Sequence, residues 1–300
     1  ADLSPDQSTD LPVAQRIPAG ATPSAPLRPA TAARIFTGAP LPENADTVLM
    51  QEDCTLKDDR IALPPGIALG IALGANRRRA GEDFAKGDLI LERGARLTPR
   101  MLALAAAAGH AALPVFKPLR IAVLSNGNEL AEPSAALGEM DVADANRHAL
   151  IAALSRLSCE VTDLGILKDD GDTLRDALAD AAASHDAILS SGGMSVGEED
   201  HLRTAVEALG SLNFWMVAIK PGRPVALGQI ESDARSVPVL GLPGNPAAAL
   251  LAFHLIGRPL MLRLAGAAPS RPRRQAVRAG FEHRKKPHRR EFLPVRLEPT

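Results

Sequence analysis

The stretch Arg120–Ser125, RIAVLS, is a nearly unbroken apolar run closed by a hydroxyl. A strand with one wet face alternates polar and apolar residues, so this run suits a strand covered on both faces, as in a parallel sheet. The residues after it support that choice. Leu150, Ala153, Leu154 and Leu157 recur at helical spacing, which predicts a helix with one apolar face. EVTDLGIL (Glu160–Leu167) reads as a second strand, and Leu174, Ala177, Leu178 and Ala181 mark a second helix. The strand DAILS (Asp186–Ser190) follows, then a helix through Leu202, Ala205, Val206 and Leu209. NFWMVAIK (Asn213–Lys220) and VPVLGLPG (Val237–Gly244) add two strands, and a long helix over about Pro246–Ala265 closes the unit. This strand–helix alternation predicts a three-layer α/β domain with a mostly parallel sheet over residues 117–266.

Residues 1–95 have another texture, rich in Pro and Gly, with short β-like runs TVLMQED (Thr47–Asp53) and DLILERG (Asp88–Gly94). They predict a β-rich domain with many turns. LTPRMLALAAAAGHAAL (Leu97–Leu113), within the linking segment 96–116, reads as one helix capped by Thr98 with Pro99 at its first position. Residues 267–300 are basic and then alternate in FLPVRLEP, as the opening strands of a partial β domain would. Their basic runs read as solvated surface.

With 46 % apolar and 23 % charged residues the chain has the composition of a folded globular protein. Its net charge of −1 argues against bulk attraction to nucleic acid or to an anionic membrane surface. Cys54 and Cys159 are far apart and outside any metal-ligand spacing, so a reducing cytoplasm fits best. No apolar run in the sequence approaches the length needed to cross a bilayer, and the first residues lack the character of a signal peptide. The missing initiator Met and the absence of Tyr point to a piece of a longer protein.

Ligands of open α/β sheets bind beyond the carboxyl ends of the strands. Here the segments expected there are SNGNEL (Ser125–Leu130), LKDDGD (Leu167–Asp172), SSGGMSVGEED (Ser190–Asp200), IKPGRP (Ile219–Pro224) and GLPGNP (Gly241–Pro246). Ser195 and Glu198 have capping-box spacing, while Gly192, Gly193 and Gly197 would leave bare amides before a helix, the arrangement that binds anions. An ordinary structural turn is the competing explanation. Lys220 and Arg223, on a turn framed by Pro221 and Pro224 with Gly222 between, suit a tetrahedral oxyanion, or are surface charges. Asp144 could hold a divalent cation or a ligand amine, or simply cap the helix behind it, and Asn128 and Glu129 raise the same choice. The sequence shows no Walker loop, no G-x-G-x-x-G after a strand, and no Ser-His-Asp or Cys-His grouping. Positioning and electrostatics, without a covalent nucleophile, are the chemistry to expect.

Taken in order and spacing, SNGNEL, DANR (Asp144–Arg147), SSGGMSVGEED, AIKPGRP and GLPGNP resemble the molybdopterin-binding domain of the MoeA family, the molybdopterin molybdenumtransferases, related to the E domain of gephyrin. RIFTGAPLPENADTVLMQED (Arg34–Asp53) and NRRRAGEDFAKGD (Asn76–Asp88) resemble that family's second domain, and the linking helix part of its first. The resemblance implies insertion of molybdate into adenylated molybdopterin with Mg²⁺ and release of AMP. It implies that Asp144, Lys220 and Arg223 are catalytic and that Asp144 and Glu129 hold Mg²⁺. It implies substrate contacts from Ser125, Asn128, Gly192, Gly193, Ser195, Gly197, Pro221, Gly222, Pro243, Gly244 and Asn245. Family dimers place the cleft between subunits, so a homodimer is expected, with Thr37, Gly38, Asp46 and Glu52 facing the other chain's cleft. Contacts with the adenylyltransferase of the same pathway and with molybdoenzymes are further expectations. The chain departs from the family pattern at Asn128, where many members have Asp, and at Arg223, where Lys is commoner. The family's D-G-Y-A segment is missing, and the last domain looks cut short. Two alternatives stay open: a molybdopterin-binding scaffold without turnover, and the sister activity of molybdopterin adenylation.

Overall fold

The computed structural model describes residues 8–193, 201–233, 235–268, 274–285 and 287–298. The chain divides into two compact units, Ala1–Ile90 and Leu91–Thr300.

The first unit is built on a four-stranded sheet in the order β2-β1-β4-β3. Its strands are β1 (Thr9–Ile17), β2 (Ala32–Ile35), β3 (Thr55–Lys57) and β4 (Arg60–Leu63). The β3–β4 hairpin turns on Asp58 and Asp59, both at positive φ, the backbone hand that matches the twist of a two-residue hairpin. Ile17 and Leu63 are buried, and a one-turn helix α1 (Ile67–Gly70) follows. The β-rich character is as expected, but the strands lie elsewhere. TVLMQED contains only a 3₁₀ turn at Gln51–Asp53, and DLILERG forms no strand. Gly87 and Gly94, at φ of 100° and 82°, break the extended path on either side of DLILERG, and Leu89 stays exposed.

In the second unit, α2 (Pro99–Ala107) starts as expected, with Thr98 Oγ1 accepting from Met101 N–H at 3.4 Å and Pro99 in the first turn. It ends earlier than the sequence suggests. Gly109 takes φ 87° and the His110 N–H returns to the Ala105 carbonyl at 3.0 Å, a left-handed cap that closes the helix before Leu113.

The core of this unit is a six-stranded sheet in the order β10-β12-β13-β9-β5-β8. The strands are β5 (Arg120–Asn126), β8 (Glu160–Leu167), β9 (Ala187–Gly192), β10 (Gly210–Met216), β12 (Pro224–Ser232) and β13 (Arg235–Leu242). Pairings among β13, β9, β5 and β8 are parallel, and β12 runs antiparallel to both its neighbours. Ile121 and Val123 of β5 enter one core, Ala122 and Leu124 the other, which is why the run has no polar alternation. On one face lie α4 (Gly171–Ser184) and α5 (His201–Leu209), through Leu174, Leu178, Leu202 and Val206. On the other lie α3 (Asn146–Ser155), α6 (Pro246–Ala252) and α7 (Arg258–Leu264), through Leu150, Leu154, Ala249, Ala252, Phe253 and Met261. The three-layer α/β architecture is therefore the one that the periodicity predicts.

Four details differ from expectation. β12 was not foreseen as a strand, because Pro224, Gly228 and Gln229 give its residues the look of a continuing loop. Gly228 is nonetheless fitted to its place, since a Cβ there would lie 2.7 Å from Val206 and 2.8 Å from the Ser211 carbonyl. The closing helix is interrupted: residues Phe253–Gly257 form a wide π turn between α6 and α7, just before Pro259, which has no N–H for the helical ladder. The expectation that no run could span a membrane also needs correction, because Pro246–Leu264 is long and apolar enough by composition. In this chain it lays Ala248, Ala249, Ala252, Phe253 and Met261 into the core. The tail, finally, does not open a β domain among the described residues. It contributes β14 (Arg290–Glu291), which pairs in parallel with β11 (Ile219–Lys220). Two further two-residue strands, β6 (Leu130–Ala131) and β7 (Val142–Ala143), pair with each other in parallel.

Candidate functional site

The parallel strands end together: Ser125 is in register with Ser191, Asn126 with Gly192, and Ser191 with Leu242. At this edge the buried strands turn polar. Ser125, Asn126, Ser190 and Ser191 are all at most 2 % exposed. Among the described residues, Ser125 Oγ, Asn126 Oδ1 and Ser190 Oγ are buried without a hydrogen-bond partner. Each such group costs about 1–3 kcal/mol relative to a satisfied one, and folded chains keep few of them. Three at one sheet edge mark the place where a polar ligand would find ready donors and acceptors.

Gly192 and Gly193 cross directly over the end of β5, with φ of 85° and 63°. A Cβ on Gly192 would lie 2.2 Å from the Asn126 carbonyl, and one on Gly193 2.2 Å from Asn126 Nδ2. The bare backbone expected to receive a ligand is thus first required by Asn126 itself. Gly244 approaches within 4.0 Å of Gly192 Cα by the same measure, which brings the GLPGNP turn to this edge. Asn245 caps α6 by accepting from Ala248 N–H at 3.0 Å.

Asn146 ties these turns together. From the first turn of α3, its Nδ2 donates to Ser191 Oγ and the Gly244 carbonyl, each at 2.8 Å, and lies 3.4 Å from the Pro243 carbonyl. Sequence reasoning singled out Asp144 in DANR and passed over Asn146 and Arg147; the only signal was the motif itself. Replacing Asn146 with Ala leaves the buried Ser191 Oγ without this donor and frees the Gly244 carbonyl, and is expected to cost about 1–3 kcal/mol in a urea titration.

Asp144 is 2 % exposed, and its carboxylate is committed to Arg147: Oδ2 accepts from Nε at 2.9 Å and Oδ1 from the backbone N–H at 3.2 Å. Arg147, itself 3 % exposed, also binds the carboxylates of Asp163 and Glu132. The helix-start role weighed for Asp144 is therefore present. The Glu129 carboxylate is folded against Gly127, and its carbonyl accepts from Val142 N–H. No group of three His, Cys, Asp or Glu side chains among the described residues could hold a metal ion. With both its oxygens engaged by Arg147, Asp144 does not present a free carboxylate to magnesium in this arrangement. Asn128 Oδ1 accepts from the Asp169 N–H at 3.2 Å, and Asp169 Oδ1 in turn accepts from Asn126 Nδ2 at 3.1 Å.

The KPGRP turn joins β10 to β12 at the same end of the sheet. Val217 N–H donates to the Arg223 carbonyl at 2.9 Å, Lys220–Pro221 is cis, and Gly222 packs over the first turn of α6, its absent Cβ 3.2 Å from the Ala248 carbonyl. Arg223 is exposed. Lys220 is half exposed, and its Nζ lies 3.5 Å from Glu291 of β14. Ser195, Gly197 and Glu198 fall outside the described residues. Thr37, Gly38, Asp46 and Glu52 are all exposed on the first unit.

A molybdopterin molybdenumtransferase of Mycobacterium tuberculosis is 35 % identical over 284 residues, which cover 91 % of this chain and 67 % of that protein. The chain belongs to the MoeA family. Its residues 122–263 match the family description "Probable molybdopterin binding domain", and residues 2–109 match "MoeA N-terminal region (domain I and II)". A molybdopterin molybdenumtransferase of Haemophilus influenzae is 41 % identical over 236 residues, 79 % of this chain. That match spans 57 % of the relative's length. A MoeA crystal structure from Pyrococcus horikoshii superposes with a TM-score of 0.70 at 33 % identity, over 86 % of this chain and 63 % of that one. The MoeA resemblance and the α/β fold read from the sequence are both borne out.

Proposed function

We propose that this MoeA chain carries the molybdopterin-binding centre of a molybdenumtransferase, which inserts molybdate into adenylated molybdopterin with release of AMP. The observation that carries the proposal is the set of unpartnered buried polar atoms on Ser125, Asn126 and Ser190, framed by the Gly192–Gly193 crossing and the GLPGNP turn. A pterin edge or phosphate seated there gains hydrogen bonds for groups already desolvated, so binding offsets a cost the fold carries without it. Ser125 and Gly192 at the strand ends and Asn128, Gly193, Pro243, Gly244 and Asn245 on the loops after them would line it, with Ser195 and Gly197 following in the sequence.

The stiff turn with Pro221 and Gly222 presents Lys220 and Arg223 at the same sheet end. Lys gives a compact charge and Arg a planar fork, which together orient a tetrahedral dianion for attack by the ligand's sulfur atoms. Asp144 acts here through Arg147, holding the start of α3 and with it Asn146. Any magnesium required would be held mainly by the phosphates of the substrate with its own water, with Glu129 the carboxylate left to join it, because Asp144 is engaged by Arg147.

The active assembly on this proposal is a cytoplasmic homodimer, in which the partner subunit's Thr37, the partner subunit's Gly38, the partner subunit's Asp46 and the partner subunit's Glu52 close the cleft. Handover from the adenylyltransferase and delivery to molybdoenzymes would follow from that place in the pathway.

The test is molybdate-dependent release of AMP from adenylated molybdopterin. Lys220→Ala is expected to lower kcat/KM for molybdate about tenfold, the value of one hydrogen bond to a charged group. AMP release that ignores molybdate, or an unchanged Lys220→Ala variant, would remove the proposal.

A further inference from the structure

The basic C-terminal segment, which as a sequence reads as mere surface, is brought to the KPGRP turn by the pairing of β14 with β11: Ile219 is in register with Arg290 and Lys220 with Glu291. Arg290 N–H donates to the Ala218 carbonyl at 2.9 Å and Phe292 N–H to the Lys220 carbonyl at 2.8 Å. This backbone clamp sets the Glu291 side chain beside the turn. Its carboxylate is 5 % exposed, with one oxygen 3.5 Å from Lys220 Nζ and the other 2.6 Å from His283 Nε2. Lys220, by contrast, is half exposed and free to exchange partners.

A buried carboxylate and an incoming dianion would seek the same ammonium. Glu291 is fixed by the backbone clamp and cannot retreat, whereas Lys220 swings on four methylenes. We infer that Glu291 is a positioning residue for Lys220: a built-in counter-ion that holds the ammonium at the turn in the absence of substrate and that an oxyanion must displace to bind. This deepens the reading of the turn as an oxyanion site and rests on it. Glu291 then lowers the turn's affinity for any anion by the cost of breaking its pair with Lys220, and its own charge repels a dianion such as molybdate more than a monoanion.

The test measures molybdate binding to the full chain by calorimetry, with no turnover needed. Glu291→Gln keeps the shape and removes the competing charge. It is expected to tighten molybdate binding about threefold, in keeping with the modest strength of a partly exposed ion pair. It should also tighten nitrate, a monoanion, but by a smaller factor, since the repulsion removed is smaller. Glu291→Asp withdraws the carboxylate by one methylene, so it should fall between Gln and wild type, and it decides alone if the Gln variant does not fold. A merely structural role for Glu291 predicts weaker or unchanged binding in both variants, and either result overturns the inference. Failure of the turn as an oxyanion site shows separately, as molybdate binding that Lys220→Ala leaves intact.

Discussion

Arg147→Ala is expected to lower the unfolding free energy by about 3–5 kcal/mol, because it strands a buried carboxylate without its partner. Arg147 is 3 % exposed and Asp144 2 %, so neither can recover water once the other is gone. The loss is a large fraction of the stability of an ordinary domain, about 5–15 kcal/mol. Urea titration followed by circular dichroism reads it directly. The double variant Arg147→Met/Asp144→Leu should recover part of the loss, since apolar residues of similar volume often replace a buried ion pair at little cost. A loss below about 1 kcal/mol for Arg147→Ala would show that the buried pair is not what holds α3 in place.

The same cluster predicts a pH dependence. Burial works to raise the Asp163 carboxyl, but hydrogen bonds from Arg147 and from Gly165 N–H outweigh it and hold Asp163 below the usual range. A carboxyl depressed in the folded state stabilises the fold above its unfolded pKa, near ~3.9, and that contribution fades as pH falls through the lower folded value. The wild-type chain should therefore lose stability more steeply below about pH 4 than Arg147→Ala, in which Asp163 has lost its strongest partner.

Gly192→Ala is the second large effect. The new Cβ would have to stand 2.2 Å from the Asn126 carbonyl in a residue held at φ 85°. Backbone strain of about 1–3 kcal/mol and overpacking of similar size add to roughly 3–5 kcal/mol. The obstacle is backbone, so no rotamer change relieves it. Gly244→Ala is the fitting comparison, because its nearest neighbour is an ordinary contact at 4.0 Å. If both variants melt together, the crossing over β5 is looser than the geometry states.

The βαβ repeat was legible because burial on both faces writes itself as unbroken apolar runs, and helix faces as the stripes through Leu150, Leu174 and Leu202. β12 was not, since Gly228 and Pro224 serve contacts with Val206 and the sheet edge that only the folded chain reveals. The first unit's strands were misplaced for a related reason: short strands such as β3 and β4 are set by the turn at Asp58–Asp59, not by an apolar pattern. At the site, the glycines, serines and cationic turn were visible as unusual residues at strand ends. Their partners were not. Asn146 bonds to residues 45 and 98 positions away, and Glu291 reaches Lys220 from 71 away, separations at which no local spacing carries a signal.

The reversed direction of β12 has a bearing on redesign. Its neighbours β10 and β13 both run toward the ligand edge, so the chain that leaves along β10 comes straight back along β12. The turn between them is stapled at its base by Val217 and Arg223. A redesign of oxyanion preference can therefore exchange this turn without disturbing the order of the strands, provided it keeps the pairing of β11 with β14 and the close packing of Gly222 on α6.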